Sequence, residues 1–175
     1  MASLTEVWPL LLAVRSLRFD ARSEAATGWN GIGIGVVTTS EPTAGVVVFE
    51  ETGTWQPSDL DRPAIRFNNV FRWTVVGNSL RLEHLRFGPD NPVMLFDMAP
   101  DPNGDWREVS PHQCREDCYT ASLTVEGHLL VVTWSIQGPR KRESIRYTYS
   151  QLKPTRSVAR DPGRAGGGIS PLFCL

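Results

Sequence analysis

The sequence is poor in the residues that usually announce a chemistry. Its 175 residues include only 3 Cys, 3 Met and 3 His. A small, odd cysteine set supplies no disulfide framework. His112, Cys114 and Cys118 lack the spaced second pair of ligands that a structural zinc site needs, so no metal and no cofactor is expected. Charge of one sign is missing too: 18 Lys+Arg stand against 19 Asp+Glu, for a net charge of −1. That removes the basic excess by which proteins hold a nucleic-acid backbone. Long apolar runs are absent as well. The stretch from Val7 to Val14 is interrupted by Pro9, is too short to span a bilayer, and has neither the basic flank nor the cleavage site of a signal peptide. These absences lead to the expectation of a cytoplasmic protein with reduced thiols, no membrane span and no nucleic-acid partner.

Helical periodicity is nearly missing. The one candidate is the N-terminus, where Ser3 or Thr5 can cap a short helix running through Leu12, with Glu6 in its first turn. What is present instead is period-two alternation. Ile65, Phe67, Asn69, Phe71, Trp73 and Val75 share one face of a strand, against Arg66, Asn68, Arg72 and Thr74 on the other. Gly77-Asn78 suits a tight hairpin turn. The run Leu80 to Phe87 begins apolar on even positions and switches to odd at Leu85 and Phe87, the signature of a β-bulge. Val14 to Ala21, Trp29 to Val37, Val46 to Trp55, Val93 to Met98, Tyr119 to Val125, Leu130 to Gln137 and Ser144 to Tyr149 complete about nine strands. Consecutive strands with short polar turns and no long crossover predict an all-β, antiparallel up-and-down barrel of 8–10 strands, behind a short N-terminal helix. The barrel domain covers residues 1–152. Residues 153–175, with Lys153, Arg156, Arg160 and Arg164 against Asp161 and a Gly166-Gly167-Gly168 run, read as a basic, flexible C-terminal tail. Its apolar tip is a candidate contact for a protein partner.

Three local patterns carry functional expectations. In Gly31-Ile32-Gly33-Ile34-Gly35-Val36, glycines hold one face of a strand, so either a ligand or strong curvature brings something against the backbone there. The cluster His112-Gln113-Cys114-Arg115-Glu116-Asp117-Cys118-Tyr119 offers a proton exchanger, a thiol and a phenol just before a strand. Gly138-Pro139-Arg140-Lys141-Arg142 joins two strands and supplies cations able to hold a carboxylate or phosphate.

His112, Cys114, Asp117 and Tyr119 in an H-x-C-x-x-D-x-Y pattern, followed by W-x-I-x-G-P-R-K from Trp134 to Lys141, resemble an uncharacterised lipocalin-like domain family. Residues 71–88 are similar to its central hairpin, and the resemblance covers residues 10–152. The G-x-W of lipocalin-like chains is absent, and L-A-V-R-S-L stands in its place. The resemblance implies a calycin-type barrel around a cavity, and no known reaction.

The leading expectation is a binding module holding a small, partly apolar, possibly anionic ligand within the barrel. Trp29, Trp73 and Trp134 would wall the cavity, His84, Cys114 and Asp117 would add polar contacts, and Arg140 and Lys141 would sit at its mouth. One alternative is a cofactor-independent isomerase or cyclase with His112 or His84 as base, Tyr119 as acid and Arg140 stabilising a developing anion. Another is an accessory factor acting through the tail.

Overall fold

A computed structural model describes residues 2–24 and 29–152. The tail 153–175 and any partner contact it makes lie outside the described residues.

The chain begins with helix α1 (Leu4–Ala13). Its start follows the sequence signal: Glu6 reaches back so that its carboxylate accepts from the Ser3 backbone N–H at 2.7 Å and from the Ser3 hydroxyl at 2.9 Å. Strands follow without interruption: β1 (Ser16–Ser23), β2 (Gly31–Thr43), β3 (Val46–Pro57), β4 (Ile65–Val76), β5 (Ser79–His84), β6 (Val93–Pro100), β7 (Trp106–Glu108), β8 (His112–Cys114), β9 (Asp117–Glu126), β10 (Leu129–Gln137) and β11 (Arg142–Ser150). Each pairs antiparallel with its neighbour around the sheet. β11 pairs with β1, and β9 pairs with both β7 and β10, so the sheet closes on itself as a ten-strand barrel. β8 lies along β9 beyond the end of β7. Closure removes the free edges that an open sheet of this length would expose.

Alternation places one residue in two inside. Phe49 and Glu51 of β3 face Phe71 and Asn69 of β4 across the ladder. Leu17 and Phe19 of β1 lie opposite Tyr149 and Tyr147 of β11. The expected bulge exists but lies elsewhere. β5 stops at His84, and the register shift falls between Leu82 and Glu83, where β6 passes from Phe96 to Met94 and leaves Leu95 as the extra residue. Leu85 and Phe87 lie beyond the strand, and Phe87 is exposed. β7 and β8 carry no expectation from the sequence, since three residues are too few to display a period.

Helix α1 covers one end of the barrel. Val7, Leu11 and Val14 are buried, the Thr39 hydroxyl of β2 donates to the Leu12 carbonyl, and the Trp106 indole N–H donates to the Ala2 carbonyl at 2.7 Å. The opposite end gathers the residues around Gly31, Pro57, Ile65, His84, Tyr119, Ile136 and Glu143, as the strand registers require.

The glycine stripe of β2 has a plain structural cause. A methyl group on Gly33 would overlap the ring of Phe19, one on Gly31 the indole of Trp55, and one on Gly35 the carbonyl of Thr52. The chain's own rings and the β3 backbone carbonyls of Gln56 and Thr52 fill the space the missing side chains leave, and no ligand is needed to explain the pattern.

Candidate functional site

The interior is an aromatic layer. Phe19 packs on Phe67 and Tyr147 with ring centroids 5.3 and 4.9 Å apart, Tyr147 stacks on Tyr149 at 5.8 Å, and Phe96 lies 5.1 Å from Trp134. Between Phe71, Trp73, Leu82, Val132, Trp134, Tyr147 and Tyr149 the packing leaves an imperfectly filled space. It is divided into gaps narrower than a water molecule, so the roomy hollow expected from the sequence is largely filled by rings. Trp73 and Trp134 line this space. Trp29 does not; it packs at the far end against Trp55, with centroids 4.9 Å apart.

One carboxyl group is buried in this layer. Glu51 is 0% exposed. Its Oε1 accepts from the Tyr149 hydroxyl at 2.7 Å, and its Oε2 accepts from the Asn69 side-chain amide at 3.1 Å. Two hydrogen bonds favour the carboxylate, but loss of water outweighs them, and the Glu51 pKa is pushed up to about 7. Burial and the neighbouring Glu51 carboxyl hold the phenols of Tyr147 and Tyr149 well above the usual range.

Several polar atoms near this centre are left without a partner. The Trp73 indole N–H and the Tyr147 hydroxyl face no acceptor, although each residue is only 1% exposed, and Asn69 Oδ1 faces no donor. A buried orphan of this kind costs about 1–3 kcal/mol. Trp73 and Tyr147 both belong to the lining of the interior gaps.

The sequence clusters meet at the far end. The two-residue turn Arg115-Glu116 brings β8 onto β9, so His112 pairs with Tyr119 and their rings lie 5.8 Å apart. Lys141 Nζ reaches Asp117 Oδ2 at 2.8 Å. Gly138 lets that carboxylate approach, since a methyl there would overlap it. The Tyr119 hydroxyl is buried without a hydrogen-bond partner, and burial raises its pKa against the opposing pull of Lys141. Burial lowers the pKa of His112. Arg140 does not join this group; it is exposed at the tip of the β10–β11 hairpin. His84 is buried against Phe71 at 4.9 Å, with its Nδ1 accepting from the Arg86 N–H at 3.2 Å. Burial, aided by Arg86, lowers its pKa to about 4, so it is neutral across the physiological range. Arg72 and Arg81 do not enter the barrel: they pair with Glu83 and Asp97 at 2.7 and 2.8 Å on its outer face.

Cys114 corrects one expectation outright. It is disulfide-bonded, so it offers no thiolate to a substrate, and the assumption that all thiols are reduced does not hold; Cys118 is free. Among the described residues, no helix is long and apolar enough to cross a membrane, and no group of three or more His, Cys, Asp or Glu is arranged to hold a metal ion.

A family model described as "Family of unknown function (DUF6314)" matches residues 18–151, from within β1 to just past β11. The chain belongs to this family. The DUF6314 match thus reaches every strand of the barrel wall, with α1 before it. No curated protein and no solved structure matches the chain.

Glu51, Tyr147 and Tyr149 were not singled out beforehand. Asn69 stood openly on the apolar face of β4, a polar residue in an inward phase, and is the signal that could have led to its cross-strand partner Glu51.

Proposed function

We propose that this DUF6314 barrel binds a small, partly apolar ligand among the aromatic rings of its interior, in the manner of a lipocalin-like carrier or sensor. The observation that carries this reading is that Trp73 and Tyr147, two residues lining the same interior gaps, each carry a buried donor without an acceptor. Buried donors are nearly always paired, so an unpaired one calls for an acceptor from water or from another molecule. The ligand is admitted by rearrangement: the gaps join when the wall rings turn, and the ligand replaces ring–ring contacts with its own. Its route is the far end, where His112, Tyr119, Asp117 and Lys141 form a polar rim and Trp29 an apolar one. Interior spaces that take drug-sized ligands measure roughly 300–1,000 Å³; the closed interior offers no such room, so the ligand is small, of one or two rings, and enters only as the wall rings part.

Tryptophan emission reports occupancy, because Trp73 and Trp134 line the space. Titration with a panel of one- and two-ring compounds is expected to quench or shift the emission saturably and to raise the melting temperature. A panel in which no compound changes either signal overturns the reading.

A further inference from the structure

We infer that Cys114 is bonded to Cys174, and that this bond straps the tail across the far end of the barrel, beside His112 and Tyr119, as a lid that a dithiol reductant releases.

The pairing follows by elimination and from the pleat of the strands. The chain has three cysteines. Cys114 is bonded and Cys118 is free, which leaves Cys174. Strand geometry explains why the two nearer cysteines stay apart. Gln113 pairs with Cys118, Cys114 with Asp117, and His112 with Tyr119. Residues opposite each other on an antiparallel ladder share a face, and successive residues alternate. Cys114 therefore shares its face with His112, Asp117 and Tyr119, and Cys118 shares the other with Gln113. The Cys114 face is the inner one: Tyr119 is buried and Cys114 packs against the core. Whatever is bonded to Cys114 is drawn to the mouth of the barrel.

The tail is long enough to arrive there. The described chain ends at Leu152, at the α1 end, where the Ser16 hydroxyl donates to the Leu152 carbonyl at 2.7 Å and Ser150 pairs with Ser16. Cys114 lies at the opposite end. β11 runs most of that length in 9 residues, about 30 Å at about 3.3 Å each. The 22 residues 153–174 reach about 70 Å when extended. The bond brings Ile169, Leu172 and Phe173 to the mouth, where Phe87 and Val109, on loops either side of β6, are 62% and 66% exposed. Covering those side chains with an apolar segment is favourable.

Release is thiol–disulfide exchange. One thiolate of a small or protein dithiol attacks one sulfur of the Cys114–Cys174 bond and displaces the other as a thiolate. The second thiol of the reductant resolves the mixed disulfide. Two electrons and two protons pass to the chain, which gains two thiols, and the reductant becomes a disulfide. Cys118, on the opposite face, takes no part. The bond and the cover need no ligand; for the ligand route proposed above, reduction is the step that opens it.

The test uses the full chain equilibrated with glutathione disulfide, its free thiols then blocked with iodoacetamide, and reads linkage by peptide mass spectrometry. A peptide pair joining Cys114 to Cys174 is expected, with Cys118 alkylated. Covering is read by diethylpyrocarbonate modification of His112, with His128, exposed in the β9–β10 turn at the α1 end, as internal reference. His112 is expected to react several-fold more slowly in the bonded chain than after reduction by an immobilised phosphine, while the rate at His128 stays the same. Cys174→Ser is expected to give the fast rate without reduction, and Cys118→Ser the slow one. Circular dichroism verifies that both variants fold, and the bonded and reduced parent chain decides the matter if either does not. A Cys114–Cys118 link, a link between two chains, or Cys114 recovered only as a thiol or glutathione adduct overturns the pairing. A Cys114–Cys174 link with equal His112 rates before and after reduction overturns the lid. No reading uses a ligand, so this inference and the binding function fail separately.

Discussion

Replacing Glu51 with glutamine is expected to stabilise the barrel by about 3 kcal/mol at pH 8 and to change it little at pH 4. The Glu51 carboxyl has a pKa of about 7 in the folded protein against 4.5 as its ordinary value. That difference corresponds to about 3 kcal/mol of differential interaction. The sign follows from proton binding. Between pH 4.5 and 7 the folded chain holds a proton at Glu51 that the unfolded chain has released, so stability falls as pH rises through that window. Above pH 7 both states are ionised and the full penalty is present. The groups facing Glu51 are the amide of Asn69 from β4 and the phenols of Tyr147 and Tyr149 from β11, none of which ionises in this range. An amide at position 51 keeps the shape and accepts from Tyr149. Asn69, whose Oδ1 has no donor as it stands, turns over to accept from the new amide N–H.

The wild-type profile alone would hide this. His84 has the opposite linkage: with its pKa lowered from 6.5 to about 4, its contribution is complete above pH 6.5 and is lost as pH falls toward 4. The two windows overlap with opposite slopes. The difference between Glu51→Gln and wild type cancels the histidine and isolates the carboxyl. Urea unfolding of both proteins at pH 4.5, 6 and 8 supplies it, read by far-ultraviolet circular dichroism. The difference should grow between pH 4.5 and 7 and then level off. A difference independent of pH would show that Glu51 does not titrate as its burial demands.

The barrel wall was legible in the sequence because period-two alternation is written locally. Each strand from β1 to β6 and from β9 to β11 shows its own apolar phase, and the turn residues between them set antiparallel neighbours. The helix was equally local, resting on Ser3 and Glu6. Closure was legible only as a count of strands, since the β11–β1 pairing joins Ser16 to Ser150 across nearly the whole chain. The polar rim at the far end was half legible. His112, Asp117 and Tyr119 fall together because a two-residue turn separates their strands, but Lys141 reaches Asp117 only through the β9–β10 register. Of the interior polar centre only Asn69 was legible, as a polar residue in the inward phase of β4. In Val46-Val47-Val48-Phe49-Glu50-Glu51 three consecutive valines blur the phase, so nothing local says which glutamate turns inward. The partner that holds Glu51, Tyr149, lies 98 residues away. The fate of Cys114 was hidden for the same reason: spacing among three cysteines does not determine pairing.

Phe19 and Gly33 should behave as one packing unit, and their separation from Gly53 is the second large effect expected. Gly33→Ala puts a methyl into the Phe19 ring, which is 1% exposed and hemmed in by Phe67 and Tyr147, so the ring cannot simply swing aside. Overpacking of this kind costs about 1–3 kcal/mol, against a gain below about 1 kcal/mol from stiffening the unfolded chain. Phe19→Leu alone leaves a gap and is destabilising too. The double variant should be more stable than the sum of the two losses allows, with a coupling of about 0.5–3 kcal/mol, because the smaller side chain vacates the volume the methyl needs. Gly53→Ala is different. Its methyl would meet the backbone carbonyl of Ile34 on β2 as well as the Phe67 ring, so trimming Phe67 to leucine cannot rescue it. Urea midpoints of the two single-glycine variants and their paired doubles separate these cases. Rescue at Gly33 with none at Gly53 would establish that a ring of the chain itself bounds β2 at Gly33, while backbone bounds β3 at Gly53. If Gly33→Ala is tolerated without any change at Phe19, the rings near β2 are looser than their contacts imply, and the glycine face itself becomes open to a ligand.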